Sequence, residues 1–464
     1  MRRVFIVSDL HLGGRPDEAI TPDRPGFRIN YSYAALIEFI DWVGRFGAEA
    51  ELVINGDLVD FLSEDDWEAP VRAAAWSHDE QDALVKMRTA FARTAGPTGR
   101  TVADALRELV ATGAGCTILL GNHDLELSLP AVRAHLEEAL RSGSARPRLV
   151  YDGEAYAVGR LLIEHGNRYD AWNVVDHDLL RRERSVRSRG LPLGDTAFAP
   201  PPGSELVIRV MNRVKRKHRF VDLLKPETGA LLPLLLVLAP PMRQSLEHVA
   251  VLAQLAWKRS RHTLAAPARP RQAGDLAAGN DESTALDNLL LDELGDADTQ
   301  LFRRGPGDLS SADRSRARML LAALRHLNRG DRSFDTSSEA PEYLSSARTI
   351  LETGRFDAVV FGHTHLPKAI RFDDGTRYFN TGTWCDVMRL PDSLLTEGAE
   401  AEAELERFLT ALDANDLERY RIRYPAFVEA VVADGGAVES IALRGYGGPG
   451  RERDGVLPDG SGAP

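Results

Sequence analysis

Short apolar runs predict buried strands in this chain, because residues that are apolar at consecutive positions face a core on both sides of a sheet. Five such runs occur: Val4–Val7, Leu52–Ile54, Thr117–Leu120, Leu161–Ile163 and Ala358–Phe361. Between the early runs, apolar residues recur at helical spacing. The predicted helices are Tyr33–Phe46, Asp79–Thr94, Thr101–Thr112 and Leu129–Arg141. Strands that alternate with helices predict an α/β fold.

After the fifth run the pattern changes to paired strands. The turns Asp373-Asp374-Gly375 and Asp434-Gly435-Gly436 each separate two runs of strand-forming residues and predict β-hairpins. The paired runs are Ala369–Phe372 with Arg377–Asn380, and Phe427–Val432 with Ser440–Leu443.

The stretch between the fourth and fifth runs predicts an inserted segment. We interpret residues 174–342 as a large helical insertion over the functional face, with helices at Ser204–Phe220, Gly229–Trp257 and Ala312–Asn328. Residues 265–284 are rich in Pro, Gly, Ala and Asp and are predicted to be disordered. The insertion divides a domain made of residues 1–173 and 343–443. The Gly/Pro-rich tail, residues 444–464, is also predicted to be disordered.

Composition and charge narrow the class of protein. The 464-residue chain is 43% hydrophobic and 27% charged, as soluble globular proteins are. A net charge of -12 argues against an extended nucleic-acid surface, which needs clustered Lys and Arg. Two cysteines, Cys116 and Cys385, cannot form a disulfide framework. The apolar runs are too short for a signal peptide or a membrane span, so we expect a cytoplasmic protein.

A polar motif follows each of the five predicted strands, where open α/β sheets place their ligand sites. The motifs are Asp9-Leu10-His11, Gly56-Asp57, Gly121-Asn122-His123-Asp124, His165-Gly166-Asn167 and Gly362-His363-Thr364-His365. Their side chains offer Asp, Asn and His donors, which suit borderline divalent metals. For any one residue, the alternative is a loop cap or a polar core group. The full set in this order predicts metal-assisted hydrolysis of a phosphate ester.

The spacing of these donors favours two metal ions. Residues i and i+2 of an extended segment point the same way, so His363 and His365 can reach one centre, as can Asp9 and His11. The carboxylate of Asp57 can bridge two ions. Two metals 3.5–4 Å apart can clamp a phosphate and acidify a bound water, so hydroxide is the expected nucleophile.

His123 directly follows Asn122 and should point away from the metals. We expect it to act as a general acid, or to stabilise charge on the leaving oxygen. Asp124, or another carboxylate, is expected to orient it and to support its charged form.

Together the five motifs resemble those of the calcineurin-like metallophosphoesterase superfamily, over residues 1–172 and 343–443. The resemblance implies a four-layer sandwich of two mixed β-sheets flanked by helices, with two divalent metal ions. It implies Asp9, His11, Asp57 and His365 as ligands of the first metal. It implies Asp57, Asn122, His165 and His363 as ligands of the second. We expect Mn²⁺, with Fe or Zn as alternatives.

A finer resemblance is to the bacterial branch that contains UDP-diacylglucosamine pyrophosphohydrolase of lipid A synthesis. It rests on Asp9-Leu10-His11-Leu12, on Gly56-Asp57-Leu58-Val59-Asp60 and on Gly362-His363-Thr364-His365-Leu366-Pro367. Two departures distinguish this chain. That branch carries Arg where His123 stands, and its helical insertion is much shorter.

Substrate contacts are predicted for Arg168, Tyr169 and Trp172, which follow the fourth motif. Arg168 would hold a phosphate, while Tyr169 or Trp172 would stack on a base or sugar. The alternative is that they pack the start of the next helix. Basic and apolar residues within 209–257 suggest peripheral membrane contact, with a solvated helix face beside a buried helix as the alternative.

The sequence thus predicts a cytoplasmic metallophosphoesterase, a hydrolase that cleaves a phosphate ester or pyrophosphate bond. The expected substrate is a phosphorylated small molecule or a nucleotide-linked lipid. One alternative is a lipid pyrophosphohydrolase at the inner surface of the membrane. Two further alternatives are a nuclease, which the net negative charge of the chain disfavours, and a non-catalytic scaffold of the same fold.

Overall fold

The computed structural model describes residues 1–16, 20, 27–28, 30–63, 74–96, 98–212, 215, 219–223, 321, 334–396, 398–414, 416–447 and 453–454. Most of the predicted insertion, residues 174–342, lies outside these residues, including the helix Gly229–Trp257 and the segment 265–284. Most of the tail, residues 444–464, also lies outside them. The predictions for these segments therefore stay predictions.

The strands of the described chain are numbered in chain order. They are β1 (Arg2–Val7), β2 (Ala50–Asn55), β3 (Gly115–Leu119), β4 (Arg148–Val150), β5 (Tyr156–Val158), β6 (Leu161–Ile163), β7 (Ala358–Phe361), β8 (Pro367–Arg371), β9 (Arg377–Thr381), β10 (Val387–Met388), β11 (Arg421–Ile422), β12 (Ala426–Val432), β13 (Val438–Gly445) and β14 (Arg453–Asp454). The α-helices are Tyr33–Gly44, Glu80–Ala92, Val102–Ala111, Pro130–Ala139, His177–Arg187, Pro202–Leu206, Pro341–Leu351, Asp392–Leu395 and Ala399–Asp413.

The chain divides into two compact units. The first comprises Met1–Ile208, Arg332–Asp386 and Arg423–Pro464, and the second comprises Arg209–Asp331 and Val387–Ile422. The first unit holds all five motifs. The second holds the two-stranded ribbon of β10 and β11 and the helix Ala399–Asp413.

Two mixed sheets form the first unit. The larger has the strand order β14-β13-β12-β1-β2-β3-β4, and the smaller has the order β5-β6-β7-β9-β8. Strands β1 to β4 run parallel, as do β6, β7 and β9. Both predicted hairpins are confirmed, since β8 pairs with β9 and β12 pairs with β13 in antiparallel fashion.

Alternating residues of each strand bury themselves in two different cores. Val4 and Ile6 of β1 pack with Ile163 of β6 in the layer between the sheets. Phe5 and Val7 point the other way and pack with the helix Tyr33–Gly44. On the far side, Val359 and Phe361 of β7 pack against the helix Pro341–Leu351. Helix, sheet, sheet and helix therefore form four layers, and the predicted fold class is confirmed.

Local sequence explains where several helices begin. Thr101 and Asp104 form a capping box at the start of Val102–Ala111, and Asp79 caps Glu80–Ala92 through the N–H of Gln81. The structure differs from the prediction of one helix over Ser204–Phe220. The helix begins earlier, at Pro202, where a proline suits the first helical turn, and it gives way to a π-helical turn at Val207–Met211.

Within the described part of the chain, no helix combines the length and the apolar character that a membrane crossing requires.

Candidate metal centre

The motif loops of both sheets meet at one edge. Beyond the end of β1, the N–H of Asp9 donates to Gly56 O at 3.2 Å and the N–H of His11 donates to Asp57 O at 2.9 Å. The first two loops therefore stay paired past the ends of their strands. The N–H of His363, from the other sheet, donates to Asp9 Oδ2 at 2.9 Å. These bonds fix the loops before any ligand enters.

Backbone strain is concentrated at this edge. Among the described residues, those other than glycine that have a positive φ are Asp9 (53°), His11 (42°), Asp57 (52°), His363 (70°) and His365 (62°). All of them are predicted metal ligands. Such conformations cost about 1–3 kcal/mol each and persist only where the surrounding structure imposes them, typically at functional sites.

The predicted ligands of the first metal lie within reach of one centre. The Nε2 atoms of His11 and His365 are 3.1 Å apart, and His365 Nε2 is 3.2 Å from Asp9 Oδ1. The three donor atoms lie within 4.8 Å of one another. Two imidazoles and a carboxylate at this spacing are a typical set of ligands for a divalent transition metal.

Asp57 lies between the two halves of the site. Its Oδ1 accepts a hydrogen bond from the N–H of His123 at 2.8 Å. Its Oδ2 lies 3.8 Å from His11 Nε2 and 3.3 Å from His165 Nε2. The same oxygen thus faces a ligand of each predicted metal, as a bridging carboxylate must.

The predicted ligands of the second metal surround the other side of Asp57. The rings of His165 and His363 are 5.4 Å apart between centroids. The donor atoms of Asp9, Asp57 and His165 also lie within 4.8 Å of one another. Asn122 is buried beside them, in the loop after β3.

The buried donor atoms fit a metal centre, because three of the predicted ligands have one atom held by the protein and another without a hydrogen-bond partner. Asp9 Oδ2 is held by the N–H of His363, His165 Nδ1 by Asn55 O, and Asn122 Nδ2 by Asn173 Oδ1. Asp9 Oδ1, His165 Nε2 and Asn122 Oδ1 have no such partner. Leaving buried polar atoms unsatisfied is costly, so their convergence indicates a ligand site.

The charges at the site stabilise one another. Burial opposes ionisation of Asp57, but the positive charges of His165 and His123 outweigh it and hold its pKa well below the ordinary value. Burial likewise opposes protonation of His165, while Asp57 and Asp9 raise its pKa to about 10. Divalent cations would take over the role of these imidazolium charges, because metal binding displaces protons from its ligands.

Comparison with known proteins identifies this centre. Residues 2–213 match the family model for calcineurin-like phosphoesterases. These residues are similar to that family. The match supports the predicted metal-dependent hydrolase that acts on phosphoester bonds, and the matched family implies a binuclear centre of divalent ions. Similar solved structures include a dimetal phosphatase from Danio rerio, 9% identical, with a TM-score of 0.31 over 96% of this chain and 95% of that one. No curated protein matches the chain.

His123 lies beside the predicted metal ligands. Its Nδ1 lies 3.1 Å from Asp60 Oδ1, and its ring packs edge-on against His11. Its side chain is 17% exposed, compared with 1% for His11 and 2% for His165. Of these three imidazoles, that of His123 is the most accessible to a substrate.

The carboxylate beside His123 is that of Asp60 rather than Asp124. Asp124 accepts hydrogen bonds from the N–H groups of Leu58 and Gly121, so it ties the second motif loop to the third. Burial and the negative charge of Asp57 raise the pKa of Asp124 to about 7. Of the two expected alternatives, Asp124 or another carboxylate, the contact favours another carboxylate, that of Asp60, the last residue of Gly56-Asp57-Leu58-Val59-Asp60. The catalytic role of Asp124 stays a prediction.

The three predicted substrate residues lie in the loop after β6. Arg168 donates to Gly153 O at 2.8 Å, and the ring of Tyr169 stacks on Phe361 at 5.1 Å while its hydroxyl donates to Glu164. The N–H of Trp172 donates to Asp170 Oδ1. These contacts hold Arg168 and Tyr169 against the protein, so their role in substrate binding stays a prediction.

Two residues near the ligands carry no role in the sequence prediction. Asp170 Oδ2 lies 3.1 Å from His363 Nε2, and the hydroxyl of Ser8 donates to Asp9 Oδ2. Both adjoin a motif in sequence, yet only the folded chain brings Asp170 to a ligand from the other end of the domain. Asn380 and Thr383 support the loops by donating hydrogen bonds to Gly362 O and Asp9 O.

Proposed function

We propose that this phosphoesterase holds two divalent metals in the sets inferred from its motifs and hydrolyses a phosphate ester or pyrophosphate bond. The observation that carries the proposal is the grouping of Asp9 Oδ1 and His165 Nε2, both buried and without hydrogen-bond partners, with the shared Asp57. A non-catalytic scaffold would have no reason to maintain buried unsatisfied donors together with a strained backbone.

The protein residues act by binding and by holding a proton. When bound, two divalent ions supply charge stabilisation for the phosphate and a water acidic enough to attack it. Asp60 orients His123 through Nδ1, which leaves Nε2 as the nitrogen to protonate the leaving oxygen. Asp60 also lies 3.5 Å from His11 Nδ1, so one carboxylate positions both a ligand and the general acid.

The finer assignments belong to this proposal. Manganese is the expected metal in the cell, with Fe or Zn as alternatives, because a set of Asp, Asn and His suits all three. The motif resemblance favours a nucleotide-linked lipid, acted on in the cytoplasm at the inner surface of the membrane. His123, where that branch carries Arg, favours an ester whose leaving oxygen needs a proton. A flotation assay with anionic vesicles tests the proposed membrane contact. If the protein does not bind the vesicles, the membrane contact is contradicted.

The first experiment compares hydrolysis of bis(p-nitrophenyl) phosphate and p-nitrophenyl phosphate, with Mn²⁺ and with a chelator. We expect cleavage that the chelator abolishes, and the preferred ester distinguishes a diesterase from a monoesterase. The same preparation is assayed for bound metal. If protein with two metals cleaves neither ester nor any nucleotide-linked lipid, the proposed activity is wrong. Cleavage of oligonucleotides at a higher rate would favour the nuclease.

Variants of Asp57 and His123 separate the two parts of the mechanism. Asp57→Ala removes the shared ligand, so we expect loss of bound metal and of turnover. His123→Ala should keep both metals and lose about 10²–10⁴-fold in kcat, the usual contribution of general acid catalysis. Glu49→Ala, at an exposed position, is the control. Wild-type turnover in either site variant would refute the assignment.

A further inference from the structure

The loop that follows the fourth motif contains a carboxylate in contact with a ligand. Asp170 Oδ2 lies 3.1 Å from His363 Nε2. The same oxygen accepts a hydrogen bond from Asn173 Nδ2 at 2.7 Å. Asp170 therefore joins a histidine of the fifth motif to another residue of its own loop.

Asn173 extends this connection to the third motif. Its Oδ1 accepts a hydrogen bond from Asn122 Nδ2 at 3.3 Å. The continuous series Asn122, Asn173, Asp170 and His363 therefore links two side chains that come from different sheets. Both are among the ligands that the proposed function assigns to the second metal.

Each end of the series fixes the donor atom that the metal needs. Because Nε2 of His363 is within hydrogen-bond distance of the Asp170 carboxylate, Nδ1 is the nitrogen of this ring that remains to bind a metal. Because Nδ2 of Asn122 donates a hydrogen bond to Asn173, the Oδ1 atom of Asn122 is directed away from that bond, and it has no hydrogen-bond partner of its own. Groups behind metal ligands typically fix the orientation of the ring or amide and raise the affinity for the ion.

We propose that Asp170 and Asn173 are positioning residues for the second metal, acting through the series Asn122–Asn173–Asp170–His363. The inference rests on the proposed binuclear centre and deepens it. The first metal does not depend on this series, because Asp9 is held by Ser8 and His11 lies beside Asp60. Loss of the series should therefore weaken one metal site and spare the other.

The loop is held rigidly enough for this role. Asp170 Oδ1 accepts the N–H of Trp172 at 2.9 Å, and Asn167 Nδ2 donates to Asn173 O at 2.8 Å. The N–H of Gly203 donates to Trp172 O at 2.8 Å. A Cβ at Gly203 would collide with Asn173 Oδ1, so this position requires glycine for the side chain of Asn173 to stay in place.

The test titrates the apo full-length chain with Mn²⁺ by calorimetry and measures bound metal after gel filtration. Electron paramagnetic resonance then distinguishes an exchange-coupled pair of Mn²⁺ ions from a single ion. The variants are Asp170→Ala, Asp170→Asn, Asn173→Ala and Gly203→Ala, which disturb the series at different points. Asp178→Asn, an exposed carboxylate, and Gly96→Ala, where a Cβ meets nothing closer than 3.7 Å, are matched controls.

We expect the four variants to bind the weaker ion about 10–100-fold less tightly, the usual effect of removing a group behind a ligand. The tighter ion should keep its affinity, and the coupled signal should give way to that of a single ion. Asp170→Asn should be milder than Asp170→Ala because it keeps one oxygen acceptor. Thermal melting in chelator shows that each variant folds, and Gly203→Ala tests the series without removing any of its groups.

Four outcomes decide between the inference and the proposed function. If the variants bind only one of the two ions less tightly, the inference is supported, whichever esters the protein cleaves. Wild-type protein with two ions, together with variants that bind both equally well, overturns the inference and leaves the binuclear centre intact. Wild-type protein that binds fewer than two ions overturns both. If the affinity for both ions falls equally, Asp170 and Asn173 have a general structural role and the inference is overturned.

Discussion

Asp60 connects two imidazoles that have different proposed tasks. Its Oδ1 faces His123 and its Oδ2 faces His11, and its carboxylate is buried. Burial disfavours the ionised form, yet the charge of His123 and the hydrogen bond from His11 hold the pKa of Asp60 below its ordinary value. A carboxylate that stays ionised keeps both rings in the required orientation.

Asp60→Asn should lower kcat by about 10–100-fold, because an amide orients His123 less firmly and no longer supports its charged form. KM for p-nitrophenyl esters should change little, since Asp60 does not face the substrate. Steady-state kinetics at several pH values measure both quantities. Asp41→Asn, a surface residue paired with Arg100, is the control. An unchanged kcat in Asp60→Asn contradicts the role.

His177 is a half-buried histidine outside the metal centre. Burial and the positive charges of Arg168 and Arg184 lower its pKa to about 4. The folded protein therefore keeps His177 neutral at pH values where the unfolded chain, with a pKa near its ordinary value of 6.5, becomes protonated. The resulting stability is complete above pH 6.5 and is lost as the pH falls toward 4.

His177→Gln should flatten the decline in the free energy of unfolding between pH 6.5 and pH 4, by at most about 1.4 kcal/mol for each pH unit. Urea denaturation in chelator, at several pH values, measures the slope without a contribution from metal binding. His78→Gln, an exposed histidine, should keep the wild-type slope. Parallel curves for wild type and His177→Gln would show that the histidine is not responsible.

At the scale of the element, the turns after the strands form the site because glycine lets them approach one another. A Cβ at Gly121 would collide with the carboxylate of Asp57, and a Cβ at Gly56 would collide with the ring of His165. A Cβ at Gly362 would collide with Ser8. The glycine of a motif is therefore a steric requirement of its neighbouring ligand.

Gly121→Ala should displace Asp57 and reduce bound metal, with a fall in turnover of about 10²-fold, as expected for a misplacement near 1 Å. Metal analysis and p-nitrophenyl ester assays measure the two effects. Gly44→Ala, at a helix end where the added Cβ makes only ordinary contacts from 3.5 Å outward, is the matched control. Full metal content in Gly121→Ala would show that the turn can yield without moving Asp57.

At the scale of the whole molecule, the two sheets must hold a fixed distance and register, since each supplies part of the site. A buried polar contact helps to join them at the opposite end of the strands. Glu51 Oε1 of β2 accepts hydrogen bonds from Thr117 Oγ1 and, across the sheets, from the Tyr156 hydroxyl, both at 2.6 Å. The contact joins the larger sheet to the edge of the smaller one.

Glu51→Ala should lower the free energy of unfolding by about 2–4 kcal/mol, because it leaves the hydroxyls of Thr117 and Tyr156 without their acceptor in a buried layer. Urea denaturation in chelator measures the change. Glu49→Ala, an exposed neighbour, should change stability by less than about 0.5 kcal/mol. A similar small change for Glu51→Ala would mean that water or another group replaces the carboxylate.

By itself the sequence determined the sheets, the order of the motifs and the chemistry of the donors. Strands buried on both faces leave uninterrupted apolar runs such as Val4–Val7, and a turn such as Asp373-Asp374-Gly375 is a local signal. Donors two residues apart, such as His363 and His365, can be recognised from spacing alone. These features depend on neighbours along the chain, so no tertiary contact is needed to predict them.

Only the tertiary structure decided which groups stand behind those donors. His123 could be paired with the adjacent Asp124, but the crossing of loops brings Asp60, 63 residues away in sequence, to its ring. Asp170 meets His363 across 193 residues for the same reason. A carboxylate's partner depends on which strands are neighbours in a sheet and on how the loops after them pack. That information is held by the whole core and not by any local pattern.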